Sequence, residues 1–274
     1  MKFETPVPLE KITDQINAVF IQPENHMVLG KSELNVEENS DLIFVDHPKY
    51  FEKALHSKAS TIIINARIEL LEWKTIISSD RPFEDYNQLC KTYFPKKTRN
   101  TNINQNIHPT PRIGNKVSLG SNVKISSDSQ ILPSTVISNN DQIGSTVIIG
   151  PNTVISHDSF YYNSSSSKHS LMHTKGGVII YDLEEIGANS TLDTVVSSET
   201  VTRSGVKIDK LVQIEFGTTI GKYCIIAASS AISGCITIQN HVTIWGQVEG
   251  VIKVTIQDDV VVLGQSGVSK NIEE

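Results

Sequence analysis

The sequence predicts a mainly β chain, a parallel β-helix built from hexapeptide repeats and preceded by a small N-terminal α/β domain. Three observations carry that prediction. An aliphatic residue returns at every sixth position through Ile107, Ile113, Leu119, Ile125, Ile131, Ile137, Ile143, Ile149 and Ile155. The beat resumes in a second phase at Ile180, Ile186 and Leu192, and in a third at Ile208, Ile214, Ile220, Ile226, Ile232, Ile238 and Ile244. It misses at Gly250 and returns at Ile256, Val262 and Val268, whereas residues 1–95 lack it altogether. Helices repeat at about 3.6 and strands at about 2, so a period of six marks a chain that returns to an inward-facing site after each short flat segment and corner. Three such segments make one triangular coil.

Residues 1–95 read as the α/β domain. Pro8 to Phe20 places Leu9, Ile12, Ile16 and Val19 at helical spacing, which predicts an opening amphipathic helix. Asp41 to Val45 and Ser60 to Asn65 read as strands around a helix from Pro48 to Ser57, a short βαβ-like unit. Thr75 to Ser78 reads as a further strand and Arg81 to Phe94 as a helix packed on the sheet. Phe44, His47 and Tyr50 gather where a strand ends and a proline opens a helix. Helix N-termini favour anions and aromatic faces stack on bases, so this corner suits a nucleotide, although half-buried packing residues would look the same. Residues 96–106 hold two lysines, an arginine and four asparagines and read as a linker.

From 107 to 274 the chain reads as the solenoid domain, with a loop insertion at about 156–185. Small or β-branched residues two positions before the inward site, such as Val117, Val123, Val147 and Thr218, leave room for coils to stack. Each buried aliphatic side chain contributes about 1.5–3 kcal/mol, which makes the axial core sizeable.

A net charge of -6 argues against nucleic acid as a partner. No stretch is apolar enough for a membrane span and the N-terminus lacks a secretory pattern, so a cytoplasmic location is expected. Cys90, Cys224 and Cys235 have no metal-type spacing, which fits a reducing compartment and no bound metal.

Several runs resemble a known family. Asp41-Leu-Ile-Phe-Val-Asp-His-Pro-Lys-Tyr50, with Ser57-Lys-Ala-Ser-Thr-Ile-Ile-Ile-Asn65, is similar to the uridine-binding domain of the UDP-3-O-(3-hydroxyacyl)glucosamine N-acyltransferases of lipid A synthesis. In the solenoid, Ile186-Gly-Ala-Asn-Ser-Thr-Leu-Asp193, Lys207-Ile-Asp-Lys-Leu-Val-Gln-Ile214, Trp245-Gly-Gln-Val248 and Gln265-Ser-Gly-Val-Ser-Lys270 resemble further family runs. The resemblance implies a left-handed β-helix, a homotrimer, and active sites in grooves between neighbouring solenoids. It implies that Phe44 and Tyr50 hold uracil beside His47, where many relatives carry asparagine. It also implies transfer of a 3-hydroxyacyl chain from acyl carrier protein, whose phosphopantetheine arm carries the thioester, to the 2-amine of a UDP-sugar. No bound cofactor is implied.

Departures from the family fall on the chemistry. The family's base histidine lies in Gln-Ile-Ala-His-Asn, which here is Gln213-Ile214-Glu215-Phe216-Gly217, so the base position is Phe216. A phenyl ring takes no proton. A donor-side family histidine corresponds to Lys253, and the Arg-Gly that follows the family aspartate is Thr194-Val195 after Asp193. Glu215 is a weak replacement base, expected to point outward along the flat face. A sugar-side Gly-x-Asp-Gly-Phe-Gly loop survives as Asp158 and Phe160, with Ser159 and Tyr161 in place of glycines. The serine-rich insertion is expected outside the core, and His108, His157, His169, His173 and His241 are expected to be solvated turn residues. Lys207, Lys210, Lys222 and Lys253 form the candidate basic dock for an acidic carrier, since residues 107–274 are otherwise net acidic. The family's carrier-binding C-terminal helices have no counterpart after Lys270, which leaves carrier docking open. These losses suggest an alternative, a catalytically silent paralogue that binds a UDP-sugar or a partner trimer.

Overall fold

The computed structural model describes residues 1–21, 26–34, 37–66, 68, 74–95, 106–164 and 166–273. It resolves into two compact units, one of Met1–Lys96, Tyr161–Lys175 and Val196–Ser198, the other of Lys97–Phe160, Gly176–Val195 and Glu199–Glu274.

In the first unit the chain runs β1 (Lys2–Pro8), α1 (Leu9–Ile16), β2 (Val19–Ile21), β3 (Met27–Lys31), β4 (Asp41–Val45), a 3₁₀ turn at Pro48–Tyr50, α2 (Phe51–Leu55), β5 (Thr61–Ile64), β6 (Thr75–Ser78) and α3 (Pro82–Tyr93). The sheet order is β1-β3-β4-β5-β6-β2, with β3 to β6 parallel and β1 and β2 antiparallel at the edges. Central parallel strands are apolar on both sides, so β4 and β5 read as continuous aliphatic runs. Leu42, Ile63 and Ile77 pack with Ile12, Phe83 and Tyr86 on one side, and Ile43, Ile62, Ile64 and Ile76 pack with Ala54 on the other.

The opening helix is shorter than its periodicity suggested. Asn17 takes a left-handed conformation at its C-cap (φ 50°), and Val19 then enters β2. The edge strand β1 and its neighbour β3 went unread in the sequence, because about half their residues face solvent and dilute the apolar signal.

The expected domain division needs correction. Part of the solenoid insertion belongs to the first unit, where Tyr162–Ser164 and His169–Leu171 form an antiparallel hairpin and Met172 is fully buried beside Phe83 and Tyr86. Asn87 clasps the hairpin on both amide atoms: Nδ2 donates to the Leu171 carbonyl (2.9 Å), and Oδ1 accepts from the His173 N–H (2.7 Å). Val196 belongs there too, its carbonyl accepting from buried Lys31 Nζ at 3.0 Å. These segments are polar in composition yet anchored by a few buried groups, a distribution that no periodic pattern reports. Apart from Asn106, the expected linker lies outside the described residues.

The second unit is the solenoid. Three eight-stranded parallel sheets form its faces. The first face starts at Asn106–Ile107, the second at Arg112–Ile113 and the third at Ser118–Leu119. Ile125 pairs with Ile143 and Ile131 with Ile149, so a regular coil spans 18 residues (143 − 125). Ile143 next pairs with Ile180, and Ile180 with Thr202, which shows where the extra residues leave the stack. The change of phase in the sequence is therefore two excursions within one unbroken ladder.

The missed beat at Gly250 has a packing reason. A Cβ there would stand 2.9 Å from Ile236 Cδ1, so the large Ile236 fills the space that Gly250 leaves. Two inward sites carry acids. Asp141 and Glu184 are fully buried, each two positions before an inward isoleucine, where valine, serine or threonine stands in most coils. Burial pushes the Asp141 carboxyl up to about 7 and the Glu184 carboxyl up to about 8. Asp141 Oδ1 accepts from the Val178 N–H at 2.8 Å, and among the described residues Oδ2 has no hydrogen-bond partner. Turning each corner takes a left-handed residue. Asn122, Asn140, Asn152 and Asn189 adopt it readily, while Thr146 and Leu211 adopt it against their side chains.

Candidate functional site

Along the edge between the third and first faces, successive coils stack the residues that the sequence singled out. His157 pairs with Asp193 after a shift of register that follows Ile155, and the next coil brings Gln213, Glu215 and Phe216. Above them come Gly234 and then Lys253, whose backbone N–H donates to the Gly234 carbonyl at 3.2 Å.

Phe216 lies along this edge. A Cβ at Gly234 would meet its ring at 2.8–3.0 Å, so the phenyl group covers the next coil and only glycine fits beneath it. Beyond Gly234 the same edge continues into half-exposed Val251 and Ile252, which extends an apolar strip from the ring.

Glu215 departs from its expected outward direction. Its Oε2 accepts from the Gly234 N–H (3.1 Å) and its Oε1 from Gln213 Nε2 (3.3 Å), so the carboxylate turns into the corner and ties two coils. A backbone donor in the chain above draws it there. Lys253 is exposed and sits in the left-handed turn position (φ 66°).

Asp193 is nearly buried at 7% exposure, and that burial pushes its carboxyl up to about 7. His157 favours the charged form, while Glu215 and Asp158 oppose it. His157 itself is exposed at the end of its strand. Its Nδ1 lies 3.1 Å from the Asp158 carbonyl oxygen. Because a carbonyl only accepts, Nδ1 is the donor in this bond, and in the neutral ring Nε2 is then the nitrogen with the lone pair.

His157 is exposed, as the sequence reading had it, but its neighbour was not foreseen: 36 residues separate it from Asp193 (193 − 157), and only the pairing of the two strands across the insertion brings them together. The nearest signal in the sequence was its place directly before Asp158 of the retained loop. Ser159 ties that loop down, its hydroxyl donating to the Thr194 carbonyl. Phe160 is 78% exposed.

The nucleotide candidates divide. His47 and Tyr50 approach edge to face at 6.2 Å, Lys49 Nζ stands 5.8 Å from the Tyr50 ring centre, and His47 Nδ1 accepts from the Lys49 N–H. Phe44 points to the opposite side of the sheet, its ring 4.8 Å from Tyr86 and 5.9 Å from Phe83. Successive strand residues alternate sides, which sends Phe44 to the α3 side while Tyr50 packs with the α2 cluster.

The four lysines expected as a carrier dock do not gather. Lys222 sits on the first edge of the prism, Lys210 on the second and Lys253 on the third, while Lys207 lies on the second face and pairs with Glu185 at 2.9 Å. Lys210 pairs with Asp209 at 3.2 Å. A spacing in sequence that differs from 18 sends side chains around the prism instead of up one edge.

A cleft of about 760 Å³ opens on the first edge, lined by Arg203, Lys222, His241, Asp258 and Asp259 among others. Along the third edge stand Phe216 and Lys253, the positions where the sequence departs from the family's histidines, with His157 and the buried Asp193 at the end of the third face. Among the described residues no cluster suits a metal ion, and no helix is long and apolar enough to cross a membrane.

The UDP-3-O-acylglucosamine N-acyltransferase of Campylobacter lari is 30% identical over 267 residues, covering 90% of this chain and 84% of that protein. The chain belongs to this family. The family's member from Methylacidiphilum infernorum is 30% identical over 237 residues, covering 76% of this chain and 67% of that protein. Among solved structures, the UDP-N-acetylglucosamine acyltransferase of Francisella novicida aligns with a TM-score of 0.53 at 18% identity, over 61% of this chain and 62% of that one. That likeness concerns the fold, the left-handed parallel β-helix. No family model matches the chain.

Proposed function

We propose that the chain is an N-acyltransferase of lipid A synthesis, moving a 3-hydroxyacyl group from acyl carrier protein to the 2-amine of a UDP-3-O-acylglucosamine derivative. It works as a cytoplasmic homotrimer, with the donor's phosphopantetheine arm presenting the thioester. The observation that carries this reading is the 30% identity over 90% of the chain, which spans both units and the polar edge at Asp193. Amide formation needs the attacking nitrogen stripped of a proton and the carbonyl oxygen stabilised as it becomes an anion. The corner at His47, Lys49 and Tyr50 offers an imidazole, a cation and an aromatic face to a nucleotide.

The test is release of free thiol from 3-hydroxyacyl carrier protein in the presence of UDP-3-O-acylglucosamine. Release above background is expected. Its absence, with nucleotide binding intact, would discard the activity.

A second reading rests on Phe216, whose ring covers Gly234 where the family places its base. On this reading the chain is a silent paralogue that retains a UDP-sugar or a partner trimer. Isothermal titration with UDP-N-acetylglucosamine and pull-down of a partner trimer discriminate, since binding without thiol release favours the silent form.

A further inference from the structure

We propose that His157 is the general base of this acyltransferase, held beside Asp193, and that it takes over the task left vacant by Phe216. The inference rests on the acyltransferase reading above. His157 and Asp193 are direct partners in the third-face ladder, and the Thr194 N–H donates to the His157 carbonyl at 2.8 Å, which fixes the two backbones together. The Asp158 carbonyl holds the Nδ1 proton, so Nε2 is the nitrogen able to accept another. The ring is exposed on the edge while Asp193 behind it is nearly buried. A base reachable from solvent, backed by a carboxyl withdrawn from it, is the arrangement amine deprotonation needs.

Position supports the assignment. Ladder rungs are about 4.8 Å apart, and the strands of His157, Asp193 and Gln213 follow one another in the third face, so a base at His157 would act about 10 Å along the edge from the coil that carries Phe216. Phe216 and the strip through Val251 and Ile252 then face an apolar group, such as the acyl chain.

In the step, the acceptor nitrogen attacks the thioester carbonyl, a C–N bond forms and the carbonyl electrons move to oxygen. His157 Nε2 takes the proton from nitrogen. The oxyanion collapses, the C–S bond breaks, and the departing thiolate recovers that proton from the imidazolium. Amide and free thiol result, with no further reactant. Asp193 is the charged group that interacts with the ring, and Glu215 and Asp158 act in turn on Asp193.

The experiment measures thiol release by full-length wild type and by His157→Gln across pH, with carrier protein and UDP-3-O-acylglucosamine as substrates. Wild type is expected to turn over with an acid limb in its kcat profile. His157→Gln is expected to lose about 10²- to 10⁴-fold in kcat, with KM within threefold and the acid limb gone. The substitution is exposed and leaves the ladder bonds intact, and a circular dichroism melt matching wild type verifies folding. If wild type turns over and His157→Gln keeps its kcat within threefold, the base assignment is overturned while the acyltransferase reading stands. If wild type releases no thiol, both fall.

Discussion

Replacing Asp141 with asparagine should stabilise the protein, and by an amount that grows with pH. An aspartate ordinarily titrates at 3.8, and inside the solenoid it is pushed up to about 7 by burial. Below its ordinary value both folded and unfolded chains hold the proton, and burial adds no pH-dependent penalty. Between the two values the unfolded chain releases a proton that the folded chain keeps, so stability falls as pH rises, and it levels off once the folded carboxyl ionises. Each pH unit in that window is worth about 1.4 kcal/mol, so between about pH 5 and pH 7 wild type loses roughly 2.7 kcal/mol that Asp141→Asn retains. Asparagine keeps an oxygen for the Val178 N–H and adds an amide where Oδ2 has no partner among the described residues. Urea unfolding of both proteins at about pH 5, 6, 7 and 8.5 gives the comparison, read as the difference in unfolding free energy. A gap that widens to neutral pH and then stays constant is expected. Parallel curves over the whole range would refute the placement of this carboxyl in a dry interior.

Glu184→Gln should behave in the same direction, with the gap widening until about pH 8, where the folded Glu184 carboxyl ionises. Gly234→Ala should destabilise by about 1–3 kcal/mol because its Cβ meets the Phe216 ring, and most of that loss should vanish in a Phe216→Ala background. A double-mutant cycle with no coupling would show that the ring lies elsewhere. Thr146→Asn should add about 0.5–1 kcal/mol, because a β-branched residue holds a left-handed φ of 57° on an exposed corner, and a thermal melt at or below wild type would count against this. Light scattering should return about three times the 30.2 kDa chain mass, and the mass of one chain would overturn the trimer.

Periodicity determined most of the solenoid from sequence alone. One aliphatic side chain per six residues has a single inward place in a coil of 18, so Ile125, Ile143 and their successors fix the ladder register without any distant information. Asp193, Gln213 and Phe216 also stand in runs that carry a local signature in the sequence. In the first unit the strands β4 and β5 were legible because both their faces are apolar, and the half-exposed β1 and β3 were not.

Tertiary structure alone decided what depends on the length and destination of the excursions. Periodicity cannot count across residues 156–185, so nothing local announces that Met172 is buried beside Phe83 and Tyr86, or that His157 becomes the neighbour of Asp193. Strand alternation separated Phe44 from Tyr50, and turns of 18 residues scattered lysines that look clustered in the sequence. Local patterns report which face a residue takes within its own segment. Proximity between segments comes from closing the ladder, where the free energy of pairing two strands selects the partner whatever the length of chain between them.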